Sequence, residues 1–225
     1  MPLAPPRSVN VTAPVTRPYP EPQILWPTFP GYGDDSRGSD SCAFPSLPAI
    51  KARQAACPPE ALTAFVEAAW MAQNRILVLD DFLFKPQEVQ SRQSRYEQIL
   101  FWLADGLVAN DIRFLTNAHG NRTEQCEIQK LFNEHVATIN QRAPRRAGAA
   151  KIEIRFSLGS KFPYVHDRFA VIDNELWHFG ATVGGLHNRV NAATRGWDAE
   201  AHKAVRFFDD AWNGDSDVQH RGRHG

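Results

Sequence analysis

Apolar residues recur along residues 58–213 with two alternating spacings, that of a helix and that of a strand. Apolar runs predict strands at 75–79, 112–116, 151–156 and 165–172, and the last of these opens a hairpin. Around them, apolar residues repeat every three or four positions, as on the buried face of a helix. The predicted order is αβαβαββα. Because helical crossovers separate most strands, this order favours an α/β fold: a three-layer sandwich with a mostly parallel sheet and a C-terminal β-hairpin.

The first 57 residues differ in composition from the rest of the chain. Thirteen of the 16 prolines lie within the first 60 residues, and proline disfavours helix interiors and central strands. We therefore expect no regular helix there. The segment still holds aromatic residues such as Trp26 and Phe29, in which disordered tails are poor. We expect an extended arm (1–57) that packs on its own domain, on a second copy or in a larger assembly, with a disordered tail as the alternative. The folded domain then spans 58–213, and 214–225 forms a flexible tail.

The charge balance, the cysteines and the absence of long apolar runs indicate where the protein is expected to occur and what it is expected to bind. The formal net charge is zero, with 25 basic and 25 acidic residues, which disfavours nucleic-acid capture by overall charge but not by a local basic patch. The three cysteines are irregularly spaced, which fits neither a disulfide framework nor a zinc site. The chain has no run of 18 apolar residues, and MPLAPPRSVNVTAPV lacks the apolar stretch of a signal peptide. We expect a cytoplasmic protein with no membrane span.

The stretch YVHDRFAVIDNELWHFG, residues 164–180, has the pattern of a β-hairpin. It contains three polar residues within apolar segments, which are His166, Arg168 and Asp173. In a strand, side chains alternate between two faces, so His166 and Arg168 would share one face. An imidazole and a guanidinium one pleat apart can both reach a single phosphate group. A solvated strand face is the simpler explanation of such a pattern. The apolar residues 169–172 occupy both faces, however, which indicates an interior strand.

The spacing of this hairpin resembles the signature of the phospholipase D superfamily. His166, Arg168 and Asp173 have the spacing His-x-Arg-x4-Asp, and Gly180-Ala-Thr182 follows six residues after Asp173. The sequence HDRF (166–169) resembles a branch of that superfamily with a single motif. The resemblance covers residues 60–212. It implies phosphodiester hydrolysis without a metal or cofactor. His166 would be the nucleophile, Arg168 the phosphate clamp and Asp173 the motif aspartate that orients its neighbours, with Thr182 beside the substrate.

The sequence departs from the superfamily pattern in two ways. Arg168 stands where the family usually has lysine. A guanidinium can bind two phosphate oxygens at once and keeps its charge, but it is bulkier than the ammonium group of lysine. Only one motif is present, whereas two histidines are needed, one to attack and one to protonate the leaving group. Small members of the superfamily, mostly nucleases, pair two identical chains across a two-fold axis. The resemblance therefore implies a homodimer.

Further candidate residues lie at strand ends and in a basic segment. Asp80 and His119 follow two predicted strands, at the edge where the ligand crevice of an open parallel sheet forms, and are candidates for substrate binding. For His119, a solvated histidine in a loop is the simpler interpretation. Arg145 and Arg146 belong to a basic run between 142 and 155 that suits contact with a nucleic-acid backbone, although such runs are often only solvated. Paired acids more often cap helices and turns than bind metal, so we predict no metal site.

Two functions remain open from the sequence. The first is a homodimeric phosphodiesterase, with nucleic acid as the expected substrate and partner. The second is a catalytically inactive module of the same fold that holds phosphate groups of nucleic acid or acts as a scaffold in a larger assembly. The replacement of lysine by Arg168 and the neutral net charge favour the second.

Overall fold

The protein combines seven strands and six α-helices in the part of the chain that the structure describes. The structure, a computed structural model, describes residues 18–27, 40–55, 60–86, 90–118, 120–142, 148–187, 189 and 191–215. The strands are β1 (Gln23–Leu25), β2 (Arg75–Leu79), β3 (Asp111–Leu115), β4 (Lys151–Arg155), β5 (Phe169–Ile172), β6 (Glu175–Phe179) and β7 (Ala193–Asp198). The helices are α1 (Leu47–Ala55), α2 (Thr63–Met71), α3 (Arg92–Leu100), α4 (Arg122–Arg142), α5 (Leu158–Lys161) and α6 (Ala204–Asn213), with a 3₁₀ turn at Val183–Gly185. The α/β class expected from the sequence is confirmed.

One sheet holds these strands in the order β1-β7-β6-β5-β2-β3-β4. β2, β3 and β4 run parallel to one another, while the other four pairings of neighbours are antiparallel. The prediction of a mostly parallel sheet is therefore wrong. The reason is that β5 returns beside β2 in the opposite direction, and β6 and β7 continue from it by antiparallel pairing. Neither β1 nor β7 was predicted.

The two faces of the sheet are covered by different helices. Ile76 and Val78 of β2 join a core cluster with residues of α2, α3 and α4. Leu77 and Leu79 point the other way and join a second cluster with α5 and α6. The alternation of strand side chains therefore separates two apolar layers, one on each face of the sheet.

The proline-rich segment contributes regular structure to the fold. α1 lies within it, so the expectation that this segment holds no regular helix is wrong. Pro48 occupies the first turn of α1, where a missing N–H costs little, and good helix formers follow it. β1 pairs with the edge of β7, and Trp26 is buried. Phe29 lies outside the described residues.

No helix within the described ranges is both long enough and apolar enough to span a membrane.

Candidate functional site

The candidate site lies at one end of the sheet, where β2 ends and β5 begins. The antiparallel register pairs Leu79 with Phe169, so the residues just beyond this pair, Asp80 and Arg168, are neighbours. The Phe179 N–H donates to the Arg168 carbonyl at 2.9 Å. The segment before β5 and the segment after β6 therefore meet beside the end of β2.

Arg168 is held between two carboxylates and an aromatic ring. Its Nε lies 3.0 Å from Oδ1 of Asp81 and 3.6 Å from Oδ1 of Asp80. Its guanidinium carbon lies 5.1 Å from the centroid of the Phe82 ring, within cation–π range. The side chain is 17% exposed, so it reaches the surface from a partly buried position.

Asp80 is the most buried member of this group, with no exposed surface. Its Oδ1 accepts from the Phe82 N–H and its Oδ2 from the Val183 N–H, both at 2.8 Å. Burial raises the pKa of Asp80 to about 6; the two backbone hydrogen bonds and Arg168 oppose that shift. Asp80 therefore ties the turn after β2, the segment after β6 and Arg168 into one unit. It has no surface to offer a substrate, contrary to its predicted substrate-binding role.

Two buried arginines hold the segment that follows the 3₁₀ turn. Arg95 of α3 donates from Nη2 to the Leu186 carbonyl at 3.0 Å, and its Nε and Nη1 have no partner among the described residues. Arg53 of α1 donates to the carbonyls of Gly185 and His187. Burial lowers the pKa of each arginine to about 10, so both stay charged near neutral pH.

Positively charged side chains, Arg168 among them, lie close enough to act on the imidazole of His187. The pKa of His187 is lowered, first by burial and then by four arginines. These are Arg189, Arg95, Arg168 and Arg53. A half-buried imidazole surrounded in this way stays neutral near pH 7, and an anion placed there is attracted by the same charges.

Gly184 lets the segment after β6 lie close to the core. Its φ of 79° lies in the left-handed region, and a Cβ at this position would come within 2.4 Å of the Trp102 ring. The Leu62 N–H donates to the Gly184 carbonyl at 2.9 Å. Because Gly184 packs closely against Trp102, the N–H of the preceding residue, Val183, reaches the carboxylate of Asp80.

His166 lies in the loop before β5 rather than inside a strand. The predicted strand 165–172 is therefore too long, because β5 begins at Phe169, opposite Leu79, the last residue of β2. The side chain of His166 is exposed and makes no hydrogen bond or ion pair with another described residue. Its immediate neighbour Asp167 contacts Nε2 of His178 at 2.6 Å.

Asp173 lies at the opposite end of the hairpin from Arg168. Its carboxylate accepts from three consecutive backbone N–H groups, those of Gln73, Asn74 and Arg75. It also has a left-handed φ of 54° in the turn between β5 and β6. The structure thus gives Asp173 a role in fixing the hairpin to the start of β2 and does not bring it to the other motif residues.

The remaining predicted residues divide into one that is buried and three that are not described. Thr182 is buried beside Val183, at the same end of the sheet. His119, Arg145 and Arg146 lie outside the described residues. In the ranges that are described, no group of three or more His, Cys, Asp or Glu side chains is placed to hold a metal ion.

Sequence reasoning did not identify Arg95 as part of this region. A signal was present, because Arg95 lies beside Tyr96 and four residues before Ile99, on the apolar face of its helix. A charge at such a position is buried, and a buried charge needs partners. Asp81 was not identified either, although it makes the shorter contact with Arg168.

No family model and no curated protein matches the chain. Among solved structures, the chain is similar to TrmBL2, an archaeal chromatin protein whose structure shows a novel mode of DNA binding. The TM-score is 0.40 and the identity 10%, over 89% of this chain and 55% of that chain. The chain spans about half the length of TrmBL2, and a similarity at this level carries no argument about fold family or function.

Proposed function

We propose that the protein is a metal-independent phosphodiesterase of the phospholipase D type, acting on nucleic acid as a homodimer. The observation that carries the proposal is that Arg168 and the Gly180–Thr182 segment of the motif lie at one end of the sheet, although Asp173 lies at the other end. Arg168 packs against Asp80 and Asp81, and the Gly180–Thr182 segment lies beside it through the β5–β6 pairing. His166 precedes Arg168 by two residues and is exposed, which supports a role as nucleophile towards a large substrate.

The charges around Arg168 support binding of a phosphate group. Four arginines act on His187, while Asp80 and Asp81 compensate part of that charge. A phosphodiester carries one negative charge and presents two non-bridging oxygens. A partly exposed guanidinium can turn from a carboxylate to these oxygens and bind both at once.

The proposed reaction uses one histidine from each chain. Nitrogen of His166 attacks phosphorus, an N–P bond forms, and the P–O bond to the leaving group breaks. The leaving oxygen takes a proton from protonated His166 of the second copy. That imidazole then removes a proton from water, the water oxygen attacks phosphorus, and the N–P bond breaks to restore the free histidine.

The homodimer follows from the single motif. The sequence contains one His-x-Arg-x4-Asp pattern, whereas the reaction needs a nucleophile and an acid. His166 is exposed in a loop. A two-fold axis passing near it would therefore bring the His166 side chains of two chains together without any change in the sheet.

A second function is favoured by the ion pairs of Arg168. Its Nε already contacts two carboxylates, so a phosphate has to compete with them for the guanidinium. A domain that binds phosphate groups of nucleic acid without turnover, or that serves as a scaffold in a larger assembly through its N-terminal segment, would tolerate this competition. Phosphate binding that is lost in Arg168→Ala, in the absence of any cleavage, would favour this function.

The test of the first function is cleavage of labelled DNA and RNA, single- and double-stranded, with and without EDTA. We expect cleavage that EDTA leaves unchanged and that His166→Ala abolishes. Arg168→Lys should retain activity, and Arg168→Ala should lose it. His202→Ala is the matched control, because His202 is an exposed histidine bound to a carbonyl in the turn before α6. Cleavage that survives in His166→Ala, or that requires a divalent metal, would overturn the proposal.

A further inference from the structure

A second feature at the same end of the sheet is an open cavity of about 340 Å³. It lies between the turn after β2, helix α3 and the start of α4. Three aromatic rings line it, those of Phe84, Tyr96 and Phe156. Phe84 lies at the centre of this group, with ring centroids 6.0 Å from Tyr96 and 5.9 Å from Phe156. The volume falls within the range of small-molecule sites, which begins near ~300 Å³.

The cavity also contains polar groups that the fold does not use. Tyr96 is 8% exposed and lines the cavity, yet its hydroxyl makes no hydrogen bond with any described residue. Oδ1 of Asn117 accepts from the Gly159 N–H. That bond fixes the orientation of the amide and leaves its Nδ2 donors without an acceptor among the described residues. The hydroxyl and the amide therefore reach the cavity with hydrogen-bonding capacity that a bound ligand can use.

The cavity is linked to Arg168 through the Phe82 ring. Nζ of Lys85, which is another lining residue, lies 5.2 Å from the centroid of that ring, and the guanidinium of Arg168 lies 5.1 Å from it. The two cations therefore lie around one ring, with Lys85 exposed at the cavity. One nucleotide unit can extend from the phosphate position at Arg168 into this cavity.

We infer that the cavity binds an unpaired nucleobase of the nucleic acid whose phosphate lies at Arg168. This inference rests on the proposed function and specifies its substrate class. A base is planar and aromatic, and its edge carries donors and acceptors, which matches aromatic walls combined with a free hydroxyl and a free amide. A lipid chain would leave those polar groups unsatisfied. A base within a duplex cannot enter, so the preferred substrate is single-stranded.

The test compares two fluorescent oligomers of equal length, a thymidine hexamer and an abasic hexamer with the same phosphates. Binding is measured by anisotropy in the full-length protein carrying His166→Ala, so that the probe is not consumed. We expect the thymidine oligomer to bind about ten-fold tighter than the abasic one. Asn117→Asp keeps the acceptor for Gly159 but removes the amide donors, and it should bring the ratio close to one. Tyr96→Phe should reduce the ratio as well.

Asn133→Asp is the matched control for the change at Asn117. Asn133 is an exposed residue of α4 whose Oδ1 also accepts an N–H, that of Gln129, and this change should leave the ratio unaltered. Equal binding of the two hexamers, or a ratio that Asn117→Asp leaves intact, would overturn the base site. If Arg168→Ala still weakened both hexamers alike, the phosphate function would stand without the base site. If neither hexamer bound, both proposals would fall.

Discussion

Nε of Arg168 lies 3.0 Å from Oδ1 of Asp81, although 87 residues separate them in the chain. The contact exists because β5 enters the sheet antiparallel to β2, so that the start of one strand faces the end of the other. The same contact orients the guanidinium and neutralises part of its charge. Arg168 is therefore held in a fixed position by this contact, and under the proposed function a phosphate would displace Asp81.

Removing the negative charge of Asp81 should strengthen phosphate binding. Asp81→Asn leaves the guanidinium of Arg168 with a weaker competitor, and we expect the affinity for an oligonucleotide to rise several-fold in an anisotropy titration at fixed salt. Asp209→Asn is the matched control, since Asp209 is a partly exposed acid paired with Arg113. An equal gain in both variants would show only the effect of net charge and would contradict this role of Asp81.

Replacing Asp173 should destabilise the protein rather than change its chemistry. Asp173→Ala removes the acceptor for three backbone N–H groups and places alanine at a left-handed φ. We expect a loss of about 2–4 kcal/mol in the free energy of unfolding, measured by urea denaturation. Asp173→Asn should lose less, because asparagine tolerates this conformation and keeps one acceptor oxygen. An Asp173→Ala protein of unchanged stability that has lost its activity would contradict this assignment.

The sequence was sufficient to locate the hairpin and several elements, because these depend on local patterns. The strand Arg75–Leu79 was predicted with its observed bounds, since a short apolar run between polar residues has one simple explanation. β4 differs from the prediction by one residue at its end, and β3 is shifted by one residue at both ends. The α/β class follows from these elements.

The direction of β5 and the start of that strand depend on distant residues. An apolar strand such as Phe169–Ile172 pairs equally well in either direction as far as its own sequence shows. Its first residue is set by the end of β2, where Asp80 begins a turn. For this reason, His166 and Arg168 were wrongly placed within the strand. β7 was missed because its residues alternate poorly and Gly196 interrupts the pattern with a φ of 95°.

Asp80 predicts a specific dependence of stability on pH. Its pKa is about 6 in the folded protein, against an ordinary value of 3.8, so the folded state binds the proton more tightly. The contribution of Asp80 to stability is therefore greatest below pH 4, falls by about 3 kcal/mol as the pH rises to 6, and is constant above that. Asp80→Asn removes this contribution at every pH.

The measurement is urea denaturation of wild type and Asp80→Asn at pH 4, 5, 6 and 7. We expect the stability of wild type relative to the variant to decrease across the lower part of this range and to level off above pH 6. A relative stability that rises with pH would show that Arg168 and the backbone N–H groups outweigh burial at Asp80.

Gly184→Ala tests the close packing of the segment after β6. A Cβ there meets the Trp102 ring, and the backbone has a left-handed φ, so the segment must shift away from the core. We expect a loss of about 1–3 kcal/mol in unfolding free energy. We also expect weaker oligonucleotide binding, because Val183 would leave Asp80. Gly106→Ala is the control, since nothing lies within 4 Å of a Cβ at that position. Equal effects of the two changes would contradict the importance of this contact.

The central claim is that nitrogen of His166 forms a bond to phosphorus during turnover. The most direct test uses a 3′-nitrophenyl phosphodiester of thymidine as the substrate. The reaction is quenched in alkali, and the adduct on the protein is mapped by mass spectrometry. The account predicts an acid-labile, alkali-stable nucleotide adduct on the peptide containing His166. The adduct should form in EDTA and be absent from His166→Ala. Turnover without any such adduct, or an adduct on another residue, would contradict it.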